Sequence, residues 1–143
     1  MKIKTLFTLF TSLVLAAHCT FAAEEPTELE KEMKAMNKAL RTLKRQVADP
    51  TKKDANLELL TAIKKSVEAS HKLEPAKTKS IPEAERKAYV EKYKEQVGAL
   101  DKTFDKLAAA IKADKADEAK TLMDELGKLK EKGHKDFTDE EEK

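Results

Sequence analysis

From Leu29 to Val47 the apolar positions Leu29, Met33, Met36, Leu40, Leu43 and Val47 advance by four, three, four, three and four residues. Steps of three and four return a side chain to the same side of an α-helix, so this run specifies one helix with one apolar face. Thr27-Glu28-Leu29-Glu30 places a capping threonine three residues before a glutamate at its start, and Asp49-Pro50 stops it. A helix of this kind must bury its face against others. The chain supplies three more.

A second helix is expected from about Thr51 or Asp54, with Leu60, Ile63, Val67 and Ser70 on one face, ending before Pro75. Residues 75–82 read as a proline-flanked loop, and Ser80 with Glu83 has the spacing of another capping box. The third helix carries Tyr89 or Val90, then Tyr93, Val97, Leu100, Phe104, Leu107 and Ile111. The pattern breaks around Ala113–Lys115. A fourth helix then turns Ala119, Leu122, Met123, Leu126, Leu129 and Gly133 inward, with Phe137 near its end. Alanine, lysine, glutamate and leucine dominate and glycine is scarce, a strongly helical composition. Short connections make neighbours antiparallel, and the expected fold is an all-α, up-down-up-down four-helix bundle.

Residues 1–22 are read as a secretory leader: Lys2 and Lys4 form a basic start, Leu6 to Ala17 is apolar, and cleavage is placed after Ala22. The apolar stretch is shorter than the ~20 residues of a membrane span. Lipidation of Cys19 is disfavoured because His18 precedes it where a small residue is usual. The expected organisation is a leader over 1–22, a bundle over 23–138 and a frayed acidic tail over 139–143. Removing the leader from the 143 residues leaves 121 and takes the only cysteine, so no disulfide or thiolate ligand remains. It also takes two lysines and no acid, which brings the formal charge from +2 to zero. Interspersed charges summing to zero give no electrostatic case for nucleic acid or an anionic membrane. The acids and lysines read as solvated helix faces.

In an up-down-up-down bundle the start of the first helix and the end of the fourth share one end. Met33 stands about 9 Å above its helix start at 1.5 Å per residue, and His134 lies three residues before Phe137. A thioether and an imidazole facing one apolar space form a ligand set for haem iron. Tyr93, Val97 and Met36 are available to wall that space. Plainer readings stand beside this one: Met33 as core filler, and His134 as a helix-end histidine interacting with the macrodipole. His71, near the end of the second helix, falls at the same end, so a His71/His134 pair is a further alternative.

These residues resemble the cytochrome b562 family. Leu29-Glu30-Lys31-Glu32-Met33 with Asn37 is similar to that family's opening helix, in which the methionine is an axial haem ligand. Lys112 to His134, with Glu118-Ala119 and Leu126, aligns without a gap to the closing helix, where the histidine is the other ligand. Tyr93 and Val97 fall where the family has aromatic residues lining the haem pocket, and Glu74-Pro75 and the proline-containing loop also match. Three positions depart from the pattern. Val97 is smaller than the usual aromatic, Lys130 stands where arginine is common, and Gly133 stands where a larger residue precedes the histidine.

The resemblance implies a monomeric, periplasmic electron carrier with Met33 and His134 on iron, and Met36, Tyr93, Val97, Lys130 and Gly133 around one haem b. Covalent attachment would require cysteines at 130 and 133 before His134, and these are Lys130 and Gly133, so the haem is expected to be non-covalent. Lys130 is a candidate partner for a propionate. Redox partner proteins are implied but not identified. The rival is a haemless bundle of the cell envelope that binds a partner protein or a soft metal, since fold does not determine function. An enzyme is not expected: no nucleophile–base constellation, glycine-rich phosphate loop or carboxylate–histidine metal motif at helical spacing is present.

Overall fold

The structure, a computed structural model, describes residues 25–138. The segment expected to be a leader, with Cys19, and the expected frayed acidic tail over 139–143 lie outside the described residues. Four helices follow in order: α1 (Glu28–Gln46), α2 (Lys53–Ser70), α3 (Glu83–Lys112) and α4 (Ala116–Phe137). Two short 3-10 turns intervene, Pro50–Lys52 and Ala76–Ser80. Among the described residues there is no strand. The helices form an antiparallel up-down-up-down bundle in which α1 packs on α2, α2 on α3 and α3 on α4.

The start of α1 is held by a complete capping box. Thr27 Oγ1 accepts from the Glu30 amide at 3.2 Å, and the Thr27 amide donates to Glu30 Oε2 at 2.8 Å. The second box expected at Ser80–Glu83 does not form. Ser80 belongs to the 3-10 turn and donates its hydroxyl to Lys77 O at 2.8 Å, and the residue capping α3 is Pro82, which makes no side-chain cap. The segment 75–82 is correspondingly more ordered than a plain loop. Arg86 Nε donates to Ile81 O at 2.8 Å, tying the turn to the first coils of α3.

At the end of the bundle where α1 finishes and α2 begins, Gln46 and Asn56 close the core with polar groups that satisfy each other. Gln46 Nε2 donates to Asn56 Oδ1 at 2.8 Å, and Asn56 Nδ2 donates to Gln46 O at 3.3 Å. Asn56 is almost wholly buried, so this exchange removes the penalty of an unpaired amide. The α3–α4 turn lies at the same end. Asp114 adopts the left-handed conformation with φ 57°, and Lys53 Nζ holds its carboxylate at 2.8 Å and the Lys112 carbonyl at 2.7 Å. Asp49 Oδ1 accepts from the Thr51 amide and hydroxyl, and these bonds hold its carboxyl below the usual carboxylate range. Midway along, Lys64 of α2 pairs with Asp101 and Asp105 of α3, and the Asp105 bond raises the lysine's affinity for its proton.

Leu43, Phe104 and Leu107 have no exposed surface and form the centre of the core. Leu43→Ala is expected to lower unfolding stability by about 2–5 kcal/mol in chemical denaturation, from lost burial plus the cavity left behind. Lys34→Ala, on the exposed face of α1, is expected to stay within about 0.5 kcal/mol of the parent.

Candidate functional site

The ring of helices is not closed equally on all sides. α1 and α4 would be the last pair to meet, yet their backbones approach only sparsely. On that side, at the end shared by the start of α1 and the end of α4, lies a cavity of about 870 Å³. This falls inside the ~300–1,000 Å³ of small-molecule and cofactor sites. Its walls are mostly apolar. Leu29, Met33, Met36 and Leu40 come from α1, and Tyr93, Val97 and Leu100 from α3. Leu129 and Phe137 come from α4, and Pro75 and Ala76 from the linker between α2 and α3.

All seven residues singled out from the sequence line this one cavity: Met33, Met36, Tyr93, Val97, Lys130, Gly133 and His134. Met33 is half-buried and His134 is exposed. They project from the two helices that do not pack on each other. His71 lies elsewhere. It caps the end of α2, where its amide donates to Val67 O at 3.1 Å, and its ring faces Gly98 of α3. It lines a separate depression of about 350 Å³ with Lys64, Glu68 and Asp101. His71 and His134 therefore share no cavity. Among the described residues no three histidine, cysteine, aspartate or glutamate side chains converge on a metal-binding point.

The rim is basic. Lys130 is half-buried, Lys135 is exposed, and Lys77 Nζ donates to Thr138 O at 3.3 Å. Glu30 is the acid on the lining. Behind His134, an aromatic cluster fastens the last turn of α4 to α3. The Phe137 ring meets Tyr89 edge-on at 5.3 Å and Tyr93 at 5.4 Å, and Lys92 Nζ stands 5.8 Å from its centroid. Lys92 also reaches Asp136 Oδ2 at 3.0 Å.

Several wall residues were not among the site residues expected from the sequence. Leu29, Leu40 and Asn37 could have been found from the periodicity of α1, since each is three or four residues from Met33 or Met36. Pro75, Ala76 and Lys77 carry no periodic signal, because a 3-10 turn brings them there. Gln96 is the least expected: a buried amide on α3, whose Nε2 donates to Leu129 O at 3.0 Å.

Tyr93 is buried and donates its hydroxyl to Ser70 O at 3.0 Å, which links α3 to the end of α2 beneath the cavity. Burial pushes its phenol up to about 12, so the neutral donor persists through the physiological range. A folded value above the ~10 of an unfolded tyrosine means this contribution is intact below pH ~10. It is lost as pH rises through about 12. The chain has two tyrosines, so phenolate absorbance can follow this directly. Tyr93→Phe is expected to remove the step near pH 12 and to cost roughly 1 kcal/mol at neutral pH, one net hydrogen bond.

Among the described residues no helix is long and apolar enough to cross a membrane. Comparison with curated proteins and with solved structures yields no match. The family model for cytochrome b562 matches residues 28–138, from the first residue of α1 to the residue after α4, and the chain belongs to the cytochrome b562 family.

Proposed function

We propose that this protein is an exported, periplasmic electron carrier that holds one non-covalent haem b between Met33 and His134. The observation that carries the reading is the cavity on the open α1–α4 side, which gathers a thioether, an imidazole and apolar walls in one place. The donor set suits the group. Neither the Met33 sulfur nor the His134 ring has a hydrogen-bond partner among the described residues, so both are available to ligate. When bound, haem b supplies a one-electron ferric–ferrous couple, and methionine–histidine ligation raises its potential relative to harder ligand sets.

The chain's own groups do the rest. Met33 and His134 would hold the iron from opposite walls of the cavity, in keeping with a carrier rather than an enzyme. Leu29, Met36, Val97 and Leu129 exclude water and disfavour the more charged oxidation state. Lys130, which lines the cavity at its rim, would pair with a propionate. Lys130 and Gly133 occupy the positions where covalent attachment would need cysteines, so nothing in this helix can form thioether links. The carrier works as a monomer, and its exposed rim is the face offered to redox proteins.

Substitution separates the ligand sets. His134→Ala is expected to abolish stable haem loading. Met33→Ala is expected to retain haem, lose the low-spin ferric spectrum and lower the potential by on the order of 0.1 V, within the ~0.8 V that axial ligands span. His71→Ala is expected to leave spectrum and potential unchanged. An unaltered spectrum in Met33→Ala would refute the methionine ligand. Acid is expected to release the haem, because a protonated imidazole has no lone pair for iron.

Because Met33 of α1 and His134 of α4 would both hold the group, loading is also expected to stabilise the bundle. The gain is about 2.7 kcal/mol at a free haem concentration 100 times the Kd, read as a rise in the thermal midpoint.

A further inference from the structure

Gln96 and Gly133 face each other across the α3–α4 interface at the cavity wall. A Cβ built at Gly133 would stand 3.0 Å from Gln96 Nε2, closer than ordinary side-chain contact. The space a side chain at 133 would take is occupied by the glutamine amide. That amide is buried, and its N–H donates to Leu129 O at 3.0 Å. Leu129 O is also the carbonyl four residues before the Gly133 amide, the acceptor that a continuous helix pairs with it. The glutamine therefore reinforces, from outside α4, the helical turn that leads into His134.

The physical need for reinforcement is local. Glycine inside a helix raises the entropy of the unfolded turn and has no side chain to pack. Gly133 immediately precedes His134, two residues beyond it is Lys135 on the exposed side, and the helix ends at Phe137. Phe137 and Asp136 anchor the end of this turn to α3, and Gln96 is the contact that holds its start.

We infer that Gln96 is a positioning residue: by hydrogen-bonding Leu129 O in the space left by Gly133, it holds the last turns of α4 so that His134 faces the cavity. The ligand part of this inference rests on the proposed haem reading. The brace itself does not.

Two measurements on the full chain keep these apart. In the haem-free protein, Gln96→Leu keeps the bulk and removes the donor. Amide hydrogen exchange at Gly133 and His134 is expected to speed up by roughly 2- to 12-fold, the equivalent of one net hydrogen bond, with α2 amides unchanged. Exchange at those amides equal to the parent's overturns the brace. In the haem-loaded protein, the same variant is expected to release haem faster by a similar factor and to show a partial high-spin ferric fraction. Faster exchange with unchanged release and spin state overturns the positioning role. A parent chain that takes up no haem removes the ligand role together with the reading beneath it, while the exchange result still decides the brace. A double-mutant cycle tests the shared space. Gly133→Ala is expected to raise the unfolding midpoint in a Gln96→Ala background, as alanine does in a helix, and to lose that gain when Gln96 is present. Additive effects overturn the claim that the two positions share one volume.

Discussion

The bundle has three packed helix interfaces and one that does not close. α1 leans on α2 and α4 leans on α3, while α1 and α4 are held apart at the end that carries Met33 and His134. Apolar faces exposed to water are costly, at roughly 25 cal/mol per Å². An open apolar cleft in an otherwise complementary bundle therefore marks a place built to be filled. The wall offers a thioether, an imidazole and apolar surface together. Membership of the cytochrome b562 family implies haem binding, and the proposed haem b suits that donor set.

The two ends of the bundle do different work. At the far end, Gln46 with Asn56 and Lys53 with Asp114 satisfy buried and turn groups, and the core there is continuous. At the cavity end, side chains hold the frame instead of filling it. Tyr93 anchors α3 to Ser70, Phe137 sits between two tyrosines, and Gln96 ties α3 to the Leu129 carbonyl. These contacts fix α2, α3 and the end of α4 relative to each other.

Much of this was legible in the sequence because heptad-like spacing maps directly onto helix faces. The steps from Leu29 to Val47 and from Tyr93 to Ile111 identify the buried stripes, and Thr27 with Glu30 announces the start of α1. Spacing misleads where the backbone leaves the helical period. Ser80 and Glu83 have capping-box spacing, but the 3-10 turn turns the serine hydroxyl onto Lys77 O and leaves Pro82 at the cap. The same turn delivers Pro75 and Ala76 to the cavity with no periodic trace. Gln96 and Gly133 are illegible singly. One looks like a surface glutamine and the other like a weak point in a helix, and what relates them is that a Cβ at Gly133 would stand only 3.0 Å from Gln96 Nε2.

The departures from the family pattern take on a physical meaning in this frame. Val97 narrows nothing by itself, yet the adjacent Gln96 adds a buried amide to the same wall, and Gly133 makes room for it. The proposed function requires that Met33 and His134 together ligate one haem. The direct measurement is the optical spectrum of the protein exported with haem available, recorded in the reduced and ferric forms. Sharp α and β bands on reduction and a far-red methionine–iron charge-transfer band in the ferric form are the predicted result. A colourless protein under haem-replete conditions, or a ferric spectrum without that band, would contradict it.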